Sequence, residues 1–157
     1  MKKNLISVFV CSLVIMLALT GCKNNENNGT EPETLNGNVD KPTWVSDSSN
    51  DDFSSSMTAV IKIDLAAQYP ALAKDFQTDK NDLLGAFSAS GECLGVASEL
   101  DGLFYLYITG TEGSVTLRYY SGYYKNIFVA KDAFVYKNND NLGTVAKPFV
   151  PLFLRQD

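Results

Sequence analysis

The 157-residue chain contains no histidine, which removes the Ser-His-Asp triad and the imidazole metal ligand from its chemistry at the outset. Carboxylates remain. Glu92, Glu99, Asp101 and Glu112 are candidates for the paired acids of glycoside hydrolysis, one protonating the leaving oxygen while the other attacks or activates water. Their spacing places no two of them at the required separation, and acids beside turns are ordinarily solvated. Asp47, Asp51 and Asp52 carry the hard oxygen ligands that calcium takes, but without the spaced loop of a calcium site, so an acidic loop is expected and no metal or other cofactor. The denser constellation is Arg118 with Tyr119, Tyr120, Tyr123 and Tyr124, astride a turn at Ser121 and Gly122. Neighbouring strand residues point to opposite faces, so at least two of these tyrosines are expected in solvent. Exposed tyrosines beside an arginine stack on sugar rings or peptide groups while their hydroxyls hydrogen-bond, at low entropic cost. Against this ligand platform stands the plainer expectation that tyrosine is a good strand residue with a wet end.

Elements that would position such a site begin after a leader. Lys2 and Lys3, an apolar run from Leu5 to Leu19, and small residues at its end are the parts of a secretory signal. At about 15 residues the run is short of the roughly 20 needed to span a bilayer core. Leu19, Thr20, Gly21 and Cys22 follow, and this LTGC resembles the lipobox of bacterial lipoproteins. That resemblance implies cleavage before Cys22 and a diacylglycerol on its sulfur, usually with a third acyl chain on its amine. Each buried lipid CH₂ contributes about 0.8 kcal/mol, and two chains suffice for stable attachment. Cys22 is thus the expected lipid attachment residue, and residues 1–21 the expected signal peptide.

Processing alters the charge and thiol accounts. Loss of Lys2 and Lys3 lowers the 13 basic residues to 11 against 18 acidic, taking the net charge from −5 to −7. Phosphate backbones are bound mainly by Lys and Arg, so nucleic acid is excluded as an expected partner. Cys11 leaves with the signal and Cys22 is committed to lipid, which leaves Cys93 alone. No internal disulfide is then available, and a lone thiol without a histidine base is read as a buried structural cysteine.

Residues 22–42 read as the lipidated cysteine and a disordered tether, rich in Asn, Glu, Gly and Pro and poor in large apolar residues. At about 5–6 Å times the square root of its length, such a tether spans roughly 25 Å. Its Asn-rich, acidic character is similar to the surface-export signals of lipoproteins in the Bacteroidota, with Glu26 the acidic residue among the first seven after Cys22.

From Thr43 to the end the composition turns aromatic and β-branched, and some 115 residues suffice for one core. Met57, Ala59, Ile61, Ile63 and Leu65 alternate with polar neighbours, which predicts a half-buried strand. Residues 66–82 lose the alternation and hold at most one short helical turn. Within 83–97, Ser90 and Gly91 suit a tight hairpin that would set Phe87 opposite Leu94, Gly85 opposite Val96, Ser88 opposite Cys93 and Ala86 opposite Gly95. One face is then bulky and the other small, with Trp44 a candidate to fill the small one. Further strands are expected at 103–109, 114–120, 126–129, 133–137 and 149–154. Seven to eight short strands with turns every eight to twelve residues predict an all-β fold, a single antiparallel β-sandwich of immunoglobulin-like or jelly-roll-like type over residues 43–157.

The block DLLGAFSASGECLGVA, with GLFYLYITG and VTLRYY after it, resembles a domain recurring in secreted and surface proteins of the Bacteroidota. The matching positions are Asp82, Ala86, Phe87, Gly91, Glu92, Cys93, Gly95, Val96, Ala97, Arg118 and Tyr119, and the resemblance covers roughly residues 57–154. It implies a β-sandwich module of adhesin-like cell-surface proteins and carries no catalytic residues across. The expected function is a non-catalytic binding or adhesion module of the cell envelope, lipid-anchored to the outer membrane and surface-exposed, with a glycan or an extracellular protein as partner. The alternative is a structural accessory subunit of an outer-membrane complex. Cys22→Ser is expected to abolish incorporation of labelled palmitate and to move the protein from the membrane to the soluble fraction; continued acylation would contradict the lipid assignment.

Overall fold

A computed structural model describes residues 34–46, 55–110 and 113–156. The alternation read from the sequence becomes nine strands among these residues: β1 (Ser56–Ile61), β2 (Leu83–Ser88), β3 (Cys93–Leu100), β4 (Leu103–Thr109), β5 (Gly113–Ser121), β6 (Asn126–Ala130), β7 (Phe134–Tyr136), β8 (Asn141–Leu142) and β9 (Phe153–Arg155). One helical turn, α1 (Leu65–Gln68), is capped by the Asp64 carboxylate, which accepts from the Ala67 amide at 3.0 Å. The all-β class is as expected. The leader, Cys22, the acids Asp47, Asp51 and Asp52, and Glu112 lie outside the described residues.

The strands form one continuous sheet in the order β8-β1-β4-β3-β2-β5-β6-β9, with β7 pairing the first residues of β5. Its pairs are antiparallel except β1 with β8, which is parallel, so the expectation of a wholly antiparallel arrangement is corrected there. The sheet curls. In a flat sheet β4 and β5 would stand three strand spacings apart, about 14 Å, yet the rings of Phe104 and Tyr119 lie 5.9 Å apart across the interior. Met57, Ile61, Phe104 and Ile108 from one end of the sheet therefore share a single core with Leu117, Tyr119, Phe128 and Phe153 from the other.

The β2–β3 hairpin shows how local chemistry sets this curvature. Gly85 pairs with Val96 and Ala86 with Gly95, as the turn spacing predicts. Beyond Ala86 a bulge shifts the register, so Phe87 opposes Cys93 rather than Leu94. Leu94 thereby turns into the core, and the strand bends. A Cβ on Gly95 would stand 2.3 Å from the Tyr107 carbonyl oxygen. Only glycine admits that approach of β4, and it lets β3 change partners from β2 to β4 along its length. The small face of the hairpin thus receives a strand rather than Trp44. The indole sits on the opposite face, its Cε3 3.0 Å from where a Gly85 Cβ would be, and edge-on to Phe87 with ring centroids 5.3 Å apart.

Residues 34–42 correct the tether. Leu35 is 1% exposed and belongs to the core. The Gly37 and Val39 amides donate to the Tyr124 and Lys125 carbonyls at 2.9 Å. The buried Asn126 side chain donates to the Leu35 carbonyl, and Arg155 donates to that of Thr34. Low hydrophobicity hides this strap because one leucine and a few backbone hydrogen bonds suffice to dock an extended segment. The folded domain accordingly includes residues 34–42 as well as those from Thr43 onward. Truncating Leu35 to Ala is expected to destabilise the fold by about 2–5 kcal/mol in chemical denaturation; a loss below about 0.5 kcal/mol, the range of neutral surface changes, would place this segment outside the core.

Candidate functional site

Because β5 alternates, Val115, Leu117 and Tyr119 enter the core while Thr116, Arg118 and Tyr120 take the outer face. Tyr119 is fully buried among the rings of Phe76, Phe104, Phe128 and Phe153. Tyr120 is outward yet only 5% exposed. The docked strap passes beside it, and burial, reinforced by the Asp40 carboxylate, raises its pKa. Tyr123 and Tyr124 are not on strands. They sit in the longer turn between β5 and β6, where Lys125 adopts a left-handed conformation (φ 47°), so strand alternation does not govern them. Tyr124 is buried, donates to the Leu72 carbonyl at 3.2 Å and packs on Phe76. Tyr123, 71% exposed, leans edge-on against Tyr124. One of the four tyrosines is therefore open to solvent, not at least two, and Arg118 with Tyr119, Tyr120, Tyr123 and Tyr124 does not form a common exposed platform.

What the tyrosines do is hold the loop that comes after α1. Asp82 lies at the end of that loop, 1% exposed. Its Oδ2 accepts from the Tyr119 hydroxyl at 2.6 Å and from the Asp79 amide at 3.0 Å, and its Oδ1 accepts from the Gly122 amide at 2.8 Å. Burial raises the Asp82 pKa against the lowering effect of these donors. Desolvation, then the Asp82 charge, pushes the Tyr119 hydroxyl far above the ordinary phenol range, so it stays a donor.

On the outer face, beyond the strap, the Arg118 guanidinium lies over the Phe87 ring at 4.3 Å from its centroid, an arrangement worth roughly 0.5–2 kcal/mol. Trp44 braces the same ring. Among the described residues no carboxylate pairs with Arg118. The guanidinium opens into a groove of about 420 Å³, walled by Ser88, Ser90 and Gly91 of the hairpin, Thr116 of β5, Val129 of β6 and Gln156. The Ser88 hydroxyl is held by the Glu92 amide and by Ser90 Oγ at 2.8 Å, which fixes the hairpin rim. Pockets for small ligands run from roughly 300 to 1,000 Å³, so the groove is of ligand size. It offers one fixed cation, hydroxyl and amide groups, and one apolar wall.

The acids fall elsewhere. Glu92 precedes β3 and Glu99 nearly ends it, so at about 3.3 Å per residue they stand some 23 Å apart, beyond the roughly 5–9.5 Å separation of glycosidase acids. Glu99 accepts from the Gly102 amide in the β3–β4 turn, where Asp101 is left-handed (φ 53°). Among the described residues no three metal-ligating side chains cluster. Burial raises the Cys93 thiol pKa, opposed by a backbone hydrogen bond with Gly95 and then by nearby Arg118, which disfavours the nucleophilic thiolate. Two residues that sequence reasoning misses are Tyr105 and Tyr107, each 42% exposed on the outer face of β4; the alternation of LFYLYIT carries that signal. It misses Phe87 as the platform for Arg118 as well, because that role depends on a cross-strand pairing of β2 with β5, Gly85 opposite Arg118 and Phe87 opposite Thr116. Comparison with family models, with curated proteins and with solved structures gives no match.

Asp82→Asn retains the shape but sets an amide NH₂ against at least one of three donors, and is expected to cost about 1–3 kcal/mol. The sign of its pH dependence comes from the raised pKa: the folded state holds the Asp82 proton more tightly than the unfolded chain. That contribution is fully present below the unfolded carboxylate pKa and is lost as pH rises through the raised folded value. Melting curves should therefore show the gap between wild type and Asp82→Asn narrowing across this window as pH rises; a widening gap would contradict burial as the dominant cause.

Proposed function

We propose that the chain is a lipoprotein of the bacterial cell envelope, anchored through Cys22 to the outer membrane and displayed at the surface, whose sandwich-like β domain is a non-catalytic glycan-binding module. The observation that carries the binding reading is the Arg118 groove, a guanidinium fixed on Phe87 and uncommitted to any described carboxylate, facing hydroxyl-bearing walls. A guanidinium has five N–H donors and no acceptor, so one that faces a groove with no described carboxylate has donors to offer an incoming ligand. The lipobox resemblance of LTGC and the resemblance of the GECLGVA block to adhesin-like surface modules supply the location. Thr34, whose carbonyl Arg155 holds, lies 12 positions after Cys22.

On a glycan array, wild-type protein is expected to bind and Arg118→Ala to lose at least tenfold in affinity, while Tyr123→Ala binds as wild type. Equal loss in Tyr123→Ala would return the site to the turn tyrosines. Absence of any glycan signal, with co-purification of an outer-membrane partner, would replace the binding reading by that of a structural subunit.

A further inference from the structure

Resting on the glycan-binding reading, we infer that the ligand of the Arg118 groove is a carboxylate-bearing sugar, a uronate or similarly acidic residue of a glycan, with the carboxylate on Arg118. The guanidinium carbon lies 4.3 Å from the Phe87 ring centroid, and a guanidinium carries its N–H donors in a rigid planar fork that matches a carboxylate bidentately. No described carboxylate takes that place. Arg118 is the sole cation among the groove residues, and the chain as a whole is acidic, net −5. One cation among hydroxyl and amide groups suits one carboxylate at that point of a glycan. The remaining walls match the rest of a sugar. Thr116 and Ser90 hydroxyls and the Gln156 amide can donate to and accept from ring hydroxyls, and Val129 gives the ring an apolar contact. An acidic peptide would find fewer uses for these hydroxyl groups.

Titration calorimetry of the full chain with galacturonic acid trimer, its fully methyl-esterified form and the neutral galactose trimer tests this, because esterification removes the charge and keeps the sugar. The acid trimer is expected to bind at least tenfold tighter than the ester or the neutral trimer. Arg118→Lys, which keeps charge but loses the fork, should remove most of that preference, and Thr116→Ala should weaken all binding several-fold without altering the preference. If the ester and neutral trimers bind as tightly as the acid, the carboxylate assignment falls and the glycan-binding reading stands. If an acidic peptide displaces the trimer with equal affinity, the sugar assignment falls. If none of the three trimers binds, or if binding is unchanged in both variants, the groove is not the site and both readings fall.

Discussion

The hydrogen bond from the buried Tyr119 hydroxyl to Asp82 is the constraint on which the rest of the molecule depends. It fixes which face of β5 is inward. A one-residue slip of a strand exchanges its faces, and here a slip would pull a phenol from a nest of four rings and strand a buried carboxylate. With Tyr119 held in, Arg118 must point out, and the strand pairs that flank it, Gly85 with Arg118 and Arg118 with Val129, set the floor of the groove. The same carboxylate grips the Gly122 amide. The core tyrosine, the β5–β6 turn and the loop after α1 therefore form one cooperative unit.

Around that unit the molecule has one curled sheet and one strap. The curl brings the two ends of the sheet onto a single core, with Gly95 permitting the closest backbone approach. The strap docks on the β5–β6 turn through the Gly37 and Val39 amides and sends Leu35 into the core, and Trp44 beyond it braces Phe87 on the outer face of the sheet. What stays open is the end of that face where the β2–β3 hairpin, Thr116 and Arg118 meet.

Period-two alternation is a local signal, and it suffices wherever a strand has one wet face: it delimits 103–109 to the residue, and 114–120 and 126–129 to within one residue at each end. The run 57–65 overshoots, since the strand ends at Ile61 and Leu65 opens α1. Phe153 shows the limit. The apolar run from Phe149 to Leu154 reads as one strand, but Pro151 cannot donate to a ladder, and pairing with β6 spans only Phe153 to Arg155. The bulge after Ala86 is equally invisible, since nothing in ASGEC marks an extra residue. Tertiary partners decide the rest. Leu35 is one apolar residue in a polar stretch, and only the pocket it fills marks it as core. The tyrosine pair in the β5–β6 turn looks like surface because the loop it covers, 69–76, has no regular structure to foretell where it lies. Arg118 itself is legible as chemistry, but its partner Phe87 lies 31 positions away in sequence and one strand away in space.

The division of labour between the two faces of β5 is open to direct observation. In a ¹H–¹⁵N spectrum of the labelled protein titrated with sodium glucuronate, the Arg118 Nε–Hε signal and the amides of Ser90 and Thr116 should shift together and saturate, while Tyr119, Gly122 and Tyr123 stay in place. Saturable shifts centred on Tyr123 and Tyr124 with Arg118 unmoved would contradict the account.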